Sequence, residues 1–194
     1  MAKTGLFFGS FNPIHVGHLA LADHLMFEFN LDEIWFVVSP HNPLKKRSTL
    51  LDGRQRLHMV NLAIENHDGF RSSDIEFYLP TPSYTADTLS YLEEKHPGHD
   101  FHLIMGEDSY NSLPKWKNFE TLLEKYKLIV YPRIGDAVTV NEELRAEGSI
   151  LFSNSPVLQV SSSFIRKQIK AGRFPRYLMP PSVSEYLIET GFYR

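Results

Sequence analysis

The chain has 194 residues, a formal net charge of −3 with its histidines counted neutral, and no cysteine. This length suffices for one sizeable domain over residues 1–194, and the lack of thiols excludes disulfides, cysteine nucleophiles and cysteine-ligated zinc. The negative charge argues against a broad nucleic-acid surface. Because no apolar run is long enough to span a membrane and no signal-peptide pattern opens the chain, we expect a cytoplasmic protein without membrane or nucleic-acid partners.

The first element is an apolar run, Gly5–Phe8, followed by a turn with glycine, proline and two histidines. The run predicts a buried strand, and the apolar segment after the turn predicts a helix from about His15 to Phe29. His15 and His18 would share one face of that helix start, beside unpaired N–H groups and the positive end of the helix dipole. The turn therefore predicts a phosphate site. A metal site or idle surface histidines are the alternatives, but no third ligand stands at a familiar spacing.

A second apolar run, Ile34–Val38, predicts a parallel strand that is buried on both faces. The loop after it contains Lys45, Lys46 and Arg47. Ligands of open α/β sheets bind beyond the carboxyl ends of the strands, so these cations are candidates for contacts with phosphate. The alternative is an ordinary solvated basic loop.

The segment after this loop predicts another helix, which begins at Asp52 as its N-cap. Arg54 and Arg56 in its first turn are predicted to be surface residues rather than ligands. Further on, Ile75 and Phe77 alternate with polar neighbours, which indicates a strand at the periphery of the sheet.

The segment Pro82–Leu89 is a hydroxyl-bearing loop that enters a helix. Its hydroxyls and the free amides of the helix start suit a carboxylate or amide ligand near Tyr84 and Thr85. The simpler alternative is that Thr85 only caps the helix.

Two more apolar runs, Phe101–Gly106 and Leu128–Tyr131, predict central strands. Asp108 and Arg133 follow them, which places both at the same edge of the sheet as the histidines. Trp116 could stack on a flat heteroaromatic ring, or it could pack against the following helix.

The last part of the chain begins with a short predicted strand, Ile150–Phe152. In Val160–Arg166, three serines enter a helix and an arginine follows, which suits the binding of β- and γ-phosphates or simple helix capping. Gly172 is expected near the C-terminus of this helix, and Ser182–Glu185 predicts a capping box at the start of the final helix.

Strands that alternate with helices predict an α/β fold: a Rossmann-like, doubly wound parallel sheet with helices on both faces. A small helical part, from about residue 161 to residue 194, would complete it.

The segment Gly9–His18 resembles the signature of the HxGH nucleotidyltransferase superfamily, whose members transfer AMP or CMP from a nucleoside triphosphate. Val160–Arg166 is similar to the second signature of that superfamily. Pro82–Leu89 and Gly106–Trp116 resemble segments of bacterial nicotinate-nucleotide adenylyltransferases, which usually carry aspartate at the position of Asn12. This resemblance implies the nucleotidyltransferase fold, and it implies ATP and nicotinate mononucleotide as substrates. It also implies Mg²⁺ that is held by the ATP phosphates rather than by a protein metal site.

The resemblance further implies roles for individual residues. The implied catalytic residues are His15, His18, Lys45 and Arg166. The implied ATP-binding residues are Gly9, Ser10, Phe11, His15, Gly17, His18, Gly106, Asp108, Ser161, Ser162, Ser163 and Arg166. The implied contacts of nicotinate mononucleotide are Ser10, Phe11, Lys45, Lys46, Tyr84, Thr85, Trp116 and Arg133.

Other functions stay open on the sequence alone. The acceptor could be nicotinamide mononucleotide or phosphopantetheine instead of nicotinate mononucleotide. A non-catalytic nucleotide sensor on the same fold is a second alternative, and a metal-dependent hydrolase is a third. The sequence also leaves open whether the chain forms a homo-oligomer.

Overall fold

A parallel six-stranded sheet with strand order β3-β2-β1-β4-β5-β6 forms the centre of the protein. We describe it from a computed structural model over residues 1–40, 50–80, 82–133, 144 and 148–194. The strands are β1 (Ala2–Gly9), β2 (Glu33–Val38), β3 (Phe70–Ser73), β4 (His99–Gly106), β5 (Lys127–Tyr131) and β6 (Ile150–Phe152). β1 pairs with both β2 and β4, so the chain winds outward from the middle in both directions.

Helices cover both faces of this sheet. They are α1 (Val16–Glu28), α2 (Gly53–Ile64), α3 (Thr85–Lys95), α4 (Glu107–Ser112), α5 (Phe119–Lys125), α6 (Ser162–Lys170) and α7 (Pro181–Thr190). Short 3₁₀ turns lie at Ile75–Phe77, Leu113–Lys115 and Arg176–Leu178. In the part of the chain that the structure describes, no helix has the length and apolarity needed to cross a bilayer.

The strands divide their apolar side chains between two cores because successive residues of a strand point to opposite faces. Phe7, Phe36 and Ile104 belong to one core, which α1, α2, α6 and α7 cover. Leu6 and Leu103 belong to the other, which α3, α4 and α5 cover. The apolar runs of the sequence therefore form strands that are buried on both sides, as predicted.

The sheet has its topological switch point at β1, because the connection from β1 to β2 and the connection that reaches β4 run in opposite directions across the sheet. Ligands of such sheets bind in the crevice beyond the carboxyl ends of the strands at this point. The turn that follows Gly9 therefore lies where the fold places a ligand. The predicted doubly wound α/β fold is confirmed.

The prediction of a peripheral strand at Ile75 and Phe77 was wrong. β3 lies earlier, at Phe70–Ser73, and Ile75–Phe77 forms a 3₁₀ turn. Glu76 is buried and accepts a hydrogen bond from the Thr88 hydroxyl (3.1 Å). A strand with Ile75 and Phe77 facing the core would have turned this carboxylate outward, so the inward hydrogen bond favours the tighter turn.

Two further local predictions were also wrong. Arg56 was predicted on the surface, but its side chain is completely buried, whereas Arg54 is exposed as predicted. α7 begins at Pro181 without a capping box, and the Ser182 hydroxyl instead donates to the carbonyl of Leu62 (2.9 Å). Proline fits the first helical position because its fixed φ is already helical.

Two predicted helix ends are confirmed. Asp52 caps α2 by accepting a hydrogen bond from the Arg54 N–H (2.9 Å). After α6 ends, the chain turns at Gly172, whose φ is 75°.

Candidate active site

The two histidines that were predicted to bind phosphate lie at the start of α1. His15 is the N-cap residue, with an extended backbone, and its imidazole stacks on that of His18 with ring centroids 3.7 Å apart. The backbone N–H of His15 donates to Nδ1 of His18 (3.2 Å). Because Nδ1 accepts this hydrogen bond, a neutral His18 carries its proton on Nε2. The sequence thus places two imidazoles together at the positive end of a helix.

Burial controls the protonation of His15, whose residue is only 5% exposed. Desolvation, assisted by the positive charge of Arg133, lowers the pKa of His15 from 6.5 to about 4. At neutral pH its imidazole is therefore uncharged. A neutral imidazole can donate one hydrogen bond to a phosphate oxygen without bringing a buried charge into the site.

Glycines allow the turn to fold tightly around its own side chains. A Cβ at Gly9 would lie 2.6 Å from the Phe11 ring, and one at Gly17 would lie 3.1 Å from Nδ1 of His15. Phe11 itself has φ 42° and is almost fully buried, with its ring edge-on to His18 at 5.2 Å. The Phe11 side chain therefore packs against the His18 imidazole from the core side. Any contact of Phe11 with a nucleotide would have to use its backbone.

The serine-rich start of α6 lies directly against this turn. The Ser162 hydroxyl donates to the carbonyl of Pro13 (2.8 Å), and Arg166 donates to the carbonyl of Asn12 (2.8 Å). Arg166 also donates to the Ser163 hydroxyl (3.2 Å), while Ser161 caps the helix by accepting from the Phe164 N–H (3.2 Å). The start of α6 thus lies against the turn that leads into α1, and each of these helix starts carries N–H groups without a partner inside the helix and a positive dipole end.

The turn is also connected to the end of the chain. Asn12 is buried, and its side-chain oxygen accepts from the Tyr193 hydroxyl (2.6 Å) and from the Leu51 N–H (3.3 Å). Arg166 donates to the backbone carbonyl of Asn12. The residue that stands where the similar enzymes usually have aspartate therefore joins the turn, the start of α2 and the C-terminal segment.

Asp108 and Arg133 meet at the carboxyl ends of β4 and β5, as their positions in the sequence predicted. Their side chains form an ion pair of 2.7 Å, and each is about half exposed. A Cβ at Gly106 would lie 2.6 Å from the Asp108 carboxylate and 2.9 Å from the Arg133 side chain, so this glycine makes room for the pair. Both groups are accessible at the same sheet edge as the histidines.

The two segments that were expected to form the acceptor pocket are neighbours in space. Lys117, next to Trp116, places its ammonium 4.5 Å from the centre of the Tyr84 ring and 3.0 Å from the Asp87 carboxylate. The Trp116 indole donates to the Ser112 hydroxyl (3.2 Å). Thr85 is not the cap of α3, because the helix begins at Thr85 and Tyr84 is its N-cap residue. Simple capping by Thr85 is therefore excluded as its role.

Lys45, Lys46 and Arg47 lie outside the described residues. Within the described ranges, no three histidine or acidic side chains form a group that could hold a metal ion.

Arg56 is the residue at this edge of the sheet that the sequence reasoning missed. It precedes Val60 by four residues and Ile64 by eight, so it belongs to the buried stripe of α2. That spacing indicates a buried position, whereas the chemistry of arginine, which is rarely buried, favours the surface.

Comparisons with known proteins show what the chain is similar to. Residues 6–168 match the cytidylyltransferase-like family. Over 192 residues the chain is 52% identical to the "Probable nicotinate-nucleotide adenylyltransferase" of Flavobacterium johnsoniae, covering 99% of both chains. It is 48% identical to the protein of that name from Flavobacterium psychrophilum, again over 99% of both chains.

A solved structure supports the fold. The Plasmodium falciparum nicotinic acid mononucleotide adenylyltransferase complexed with NaAD superposes with a TM-score of 0.80 at 22% sequence identity. The superposition covers 100% of this chain and 98% of that one. At this identity the comparison shows that the two chains share a fold.

Proposed function

The chain belongs to the cytidylyltransferase-like family and within it to the nicotinate-nucleotide adenylyltransferases, and we propose the reaction that follows from this membership. A phosphate oxygen of nicotinate mononucleotide attacks the α-phosphorus of ATP. The bond from that phosphorus to the bridging oxygen of the β-phosphate breaks. The products are nicotinate adenine dinucleotide and pyrophosphate.

The observation that carries this proposal is the contact between the histidine turn and the start of α6. Ser162 and Arg166 donate to the carbonyls of Pro13 and Asn12, so the start of α6 with its guanidinium lies against the turn that leads to the two stacked imidazoles. Such an arrangement suits a polyphosphate, whose charge it would balance with dipoles and hydrogen-bond donors.

The chemistry needs no strong base. The attacking phosphate is largely ionised at neutral pH, because its second pKa is about 6. Catalysis then depends on aligning two anions and on stabilising the charge that grows on the departing pyrophosphate. We assign His18 and the neutral His15 as donors to the phosphates nearest the reacting centre, and Arg166 with Ser163 to the leaving end. Mg²⁺ bound with ATP would neutralise part of the phosphate charge.

The acceptor is assigned to the region between Tyr84 and Trp116. A flat pyridine ring can stack on the indole, and its carboxylate can meet amides at the start of α3 together with the nearby Lys117 ammonium. We assign Asp108 to the other substrate, as an acceptor of hydrogen bonds from the ribose hydroxyls of ATP. Nicotinate is favoured over nicotinamide because the Lys117 ammonium and the amides at the start of α3 suit its negative charge, and the Asp87 carboxylate that pairs with Lys117 offsets part of this preference.

Several sequence predictions belong to this proposal. We infer one domain over residues 1–194, because α6 and α7 contribute Ile165, Ile169, Val183 and Leu187 to the same core as the sheet. Contacts of Lys45 and Lys46 with the phosphates, the Mg²⁺ requirement and a cytoplasmic location remain predictions, and whether the chain forms a homo-oligomer stays open.

The test offers the purified protein ATP with nicotinate mononucleotide or with nicotinamide mononucleotide and measures pyrophosphate and dinucleotide formation. We expect both products with the nicotinate substrate and a much lower kcat/KM with the nicotinamide one. The opposite preference would assign the sister activity. If the protein binds nucleotide but releases no pyrophosphate from ATP with either acceptor, the result would indicate a nucleotide sensor.

A further inference from the structure

Arg56 is one of the largest fully buried side chains among the described residues, and its hydrogen bonds to other described residues go to backbone carbonyls. Its Nε donates to Leu51 (2.9 Å). One terminal nitrogen donates to both Ser10 (2.6 Å) and Ser39 (2.8 Å), and the other donates to Pro40 (2.9 Å). Four of the five N–H groups of an arginine are thereby used.

These carbonyls belong to two connections at the carboxyl edge of the sheet: the turn between β1 and α1, and the two ends of the connection between β2 and α2. Ser10 begins the turn that leads to His15 and His18. Ser39 and Pro40 begin the connection that leaves β2, and Leu51 immediately precedes the start of α2. One guanidinium therefore fixes the distances between the histidine turn and the two segments beside it.

The buried charge needs an explanation beyond packing. Among the ion pairs between described residues, none joins Arg56 to a carboxylate. Burial lowers the pKa of Arg56, while Tyr193 and the Asp52 carboxylate act in the opposite direction, and the guanidinium stays charged at neutral pH. An apolar side chain of similar size would fill the space without the cost of desolvating a charge. It could not, however, bind four carbonyls of the histidine turn and of the connection between β2 and α2.

We propose that Arg56 is a positioning residue for adenylyl transfer. Its planar guanidinium sets the histidine turn in register with the connection after β2, so that the two bound nucleotides are held in line for attack. This inference rests on the proposed function, since it concerns the alignment of two substrates at that site. Arg56 touches no substrate itself, and it acts through the backbone of Ser10, Ser39 and Pro40.

The test compares Arg56→Lys and Arg56→Gln with wild type, and uses Arg54→Gln, an exposed arginine on the same helix, as the matched control. Lysine keeps the charge but cannot span the four carbonyls, whereas glutamine removes the charge as well. For each folded variant, kcat, both KM values and the Kd of ATP alone are measured well below its unfolding temperature.

We expect both Arg56 variants to lose kcat by about 100-fold, the effect of a small misplacement of the reacting groups, with the Kd of ATP changed by less than about fivefold. Arg54→Gln should behave like wild type. A residue that only stabilises the fold would lower the unfolding temperature and leave kcat of the folded protein intact. Folded Arg56 variants with wild-type kcat would therefore overturn the inference, as would a wild-type kcat in Arg56→Lys alone.

A second measurement uses the wild-type protein in case the variants do not fold. The Nε–H signal of Arg56 is assigned by nuclear magnetic resonance and followed on addition of a non-hydrolysable ATP analogue. We expect slow exchange with water and a shift of the signal on binding. If the amide signals of residues 15–18 shift on binding and the Arg56 signal does not, the proposed link between Arg56 and the histidine turn would be contradicted. If the wild type instead forms no dinucleotide, the proposed function fails, and that result is separate from either outcome for Arg56.

Discussion

The Tyr193 hydroxyl donates a 2.6 Å hydrogen bond to the side-chain oxygen of Asn12, a residue 181 positions earlier in the chain. Burial raises the pKa of Tyr193, so the hydroxyl keeps its proton and remains a donor throughout the neutral and mildly alkaline range. The penultimate residue thus supports the turn whose backbone also binds Arg166.

Tyr193→Phe should therefore affect both stability and turnover. Removing the hydroxyl takes one donor from a buried oxygen, which costs about 1–3 kcal/mol of unfolding free energy. We also expect kcat to fall, because the Asn12 carbonyl orients Arg166. This loss, expressed as a free energy, should be smaller than the loss of stability. Urea unfolding and steady-state kinetics measure the two effects. Tyr177→Phe, which alters an exposed tyrosine, is the control, and identical behaviour of the two variants would contradict the role of Tyr193.

His18→Ala should lower turnover far more than it lowers stability. Loss of a donor to the charge that develops in the transition state costs about 100- to 1,000-fold in kcat. His24→Ala, a change on the same helix and away from the turn, should retain wild-type kinetics. Rates of pyrophosphate release and thermal unfolding of both variants provide the comparison, and an unaltered kcat in His18→Ala would remove the residue from the mechanism.

The low pKa of His15 predicts a pH dependence of stability. Its folded-state pKa of about 4 lies below the ordinary 6.5, so between these values the unfolded chain binds the extra proton. Stability from the neutral imidazole is present above pH 6.5 and is lost as the pH falls toward 4. Relative to His15→Asn, the wild type should lose roughly 3 kcal/mol from pH 7 to pH 4.

The same residue can be followed directly by nuclear magnetic resonance titration of its imidazole. Free protein should give a pKa near 4, and ATP should raise it, because phosphate charge favours the protonated ring. Arg133→Gln should raise the pKa only slightly, since burial is the larger cause. A free-state pKa near the ordinary value would refute the assignment of His15 as an uncharged donor.

The ion pair of Asp108 with Arg133 should matter for binding rather than for folding. It is about half exposed, and such pairs contribute about 0–1 kcal/mol to stability. Asp108→Asn should leave the unfolding free energy nearly unchanged but raise the KM for ATP. Glu33→Gln, which breaks the pair with Arg71 at the opposite edge of the sheet, should change neither KM. Equal KM values in wild type and Asp108→Asn would exclude a ribose contact.

Trp116 should act on the acceptor alone. Trp116→Leu is expected to raise the KM for nicotinate mononucleotide by about tenfold, as the loss of a stacking contact of 1–1.5 kcal/mol would, with the KM for ATP unaffected. The chain has two tryptophans, and Trp35 is buried in the core. In Trp35→Phe, Trp116 becomes the single indole, so quenching of its fluorescence by the acceptor would report the stacking. Fluorescence that responds to ATP but not to the acceptor would place the pyridine ring elsewhere.

Prediction from the sequence succeeded where the signal is local. Continuous apolar runs identified β1, β2, β4, β5 and β6, because a parallel strand that is buried on both faces needs apolar side chains at every position. It failed at Ile75–Phe77, where an alternating pattern suggested a strand. There the decisive contact is the hydrogen bond between Glu76 and Thr88, which depends on how α3 packs and not on the pattern itself.

The sequence by itself determined the doubly wound sheet, the position of the histidine turn after β1 and the placement of Asp108 and Arg133 at the same edge. These follow from strand order and from the rule that parallel strands end together. Only the tertiary structure decided that Arg56 is buried among backbone carbonyls and that Tyr193 reaches Asn12. Backbone carbonyls leave no mark in the sequence, and partners 46 or 181 positions apart meet only after the chain has folded.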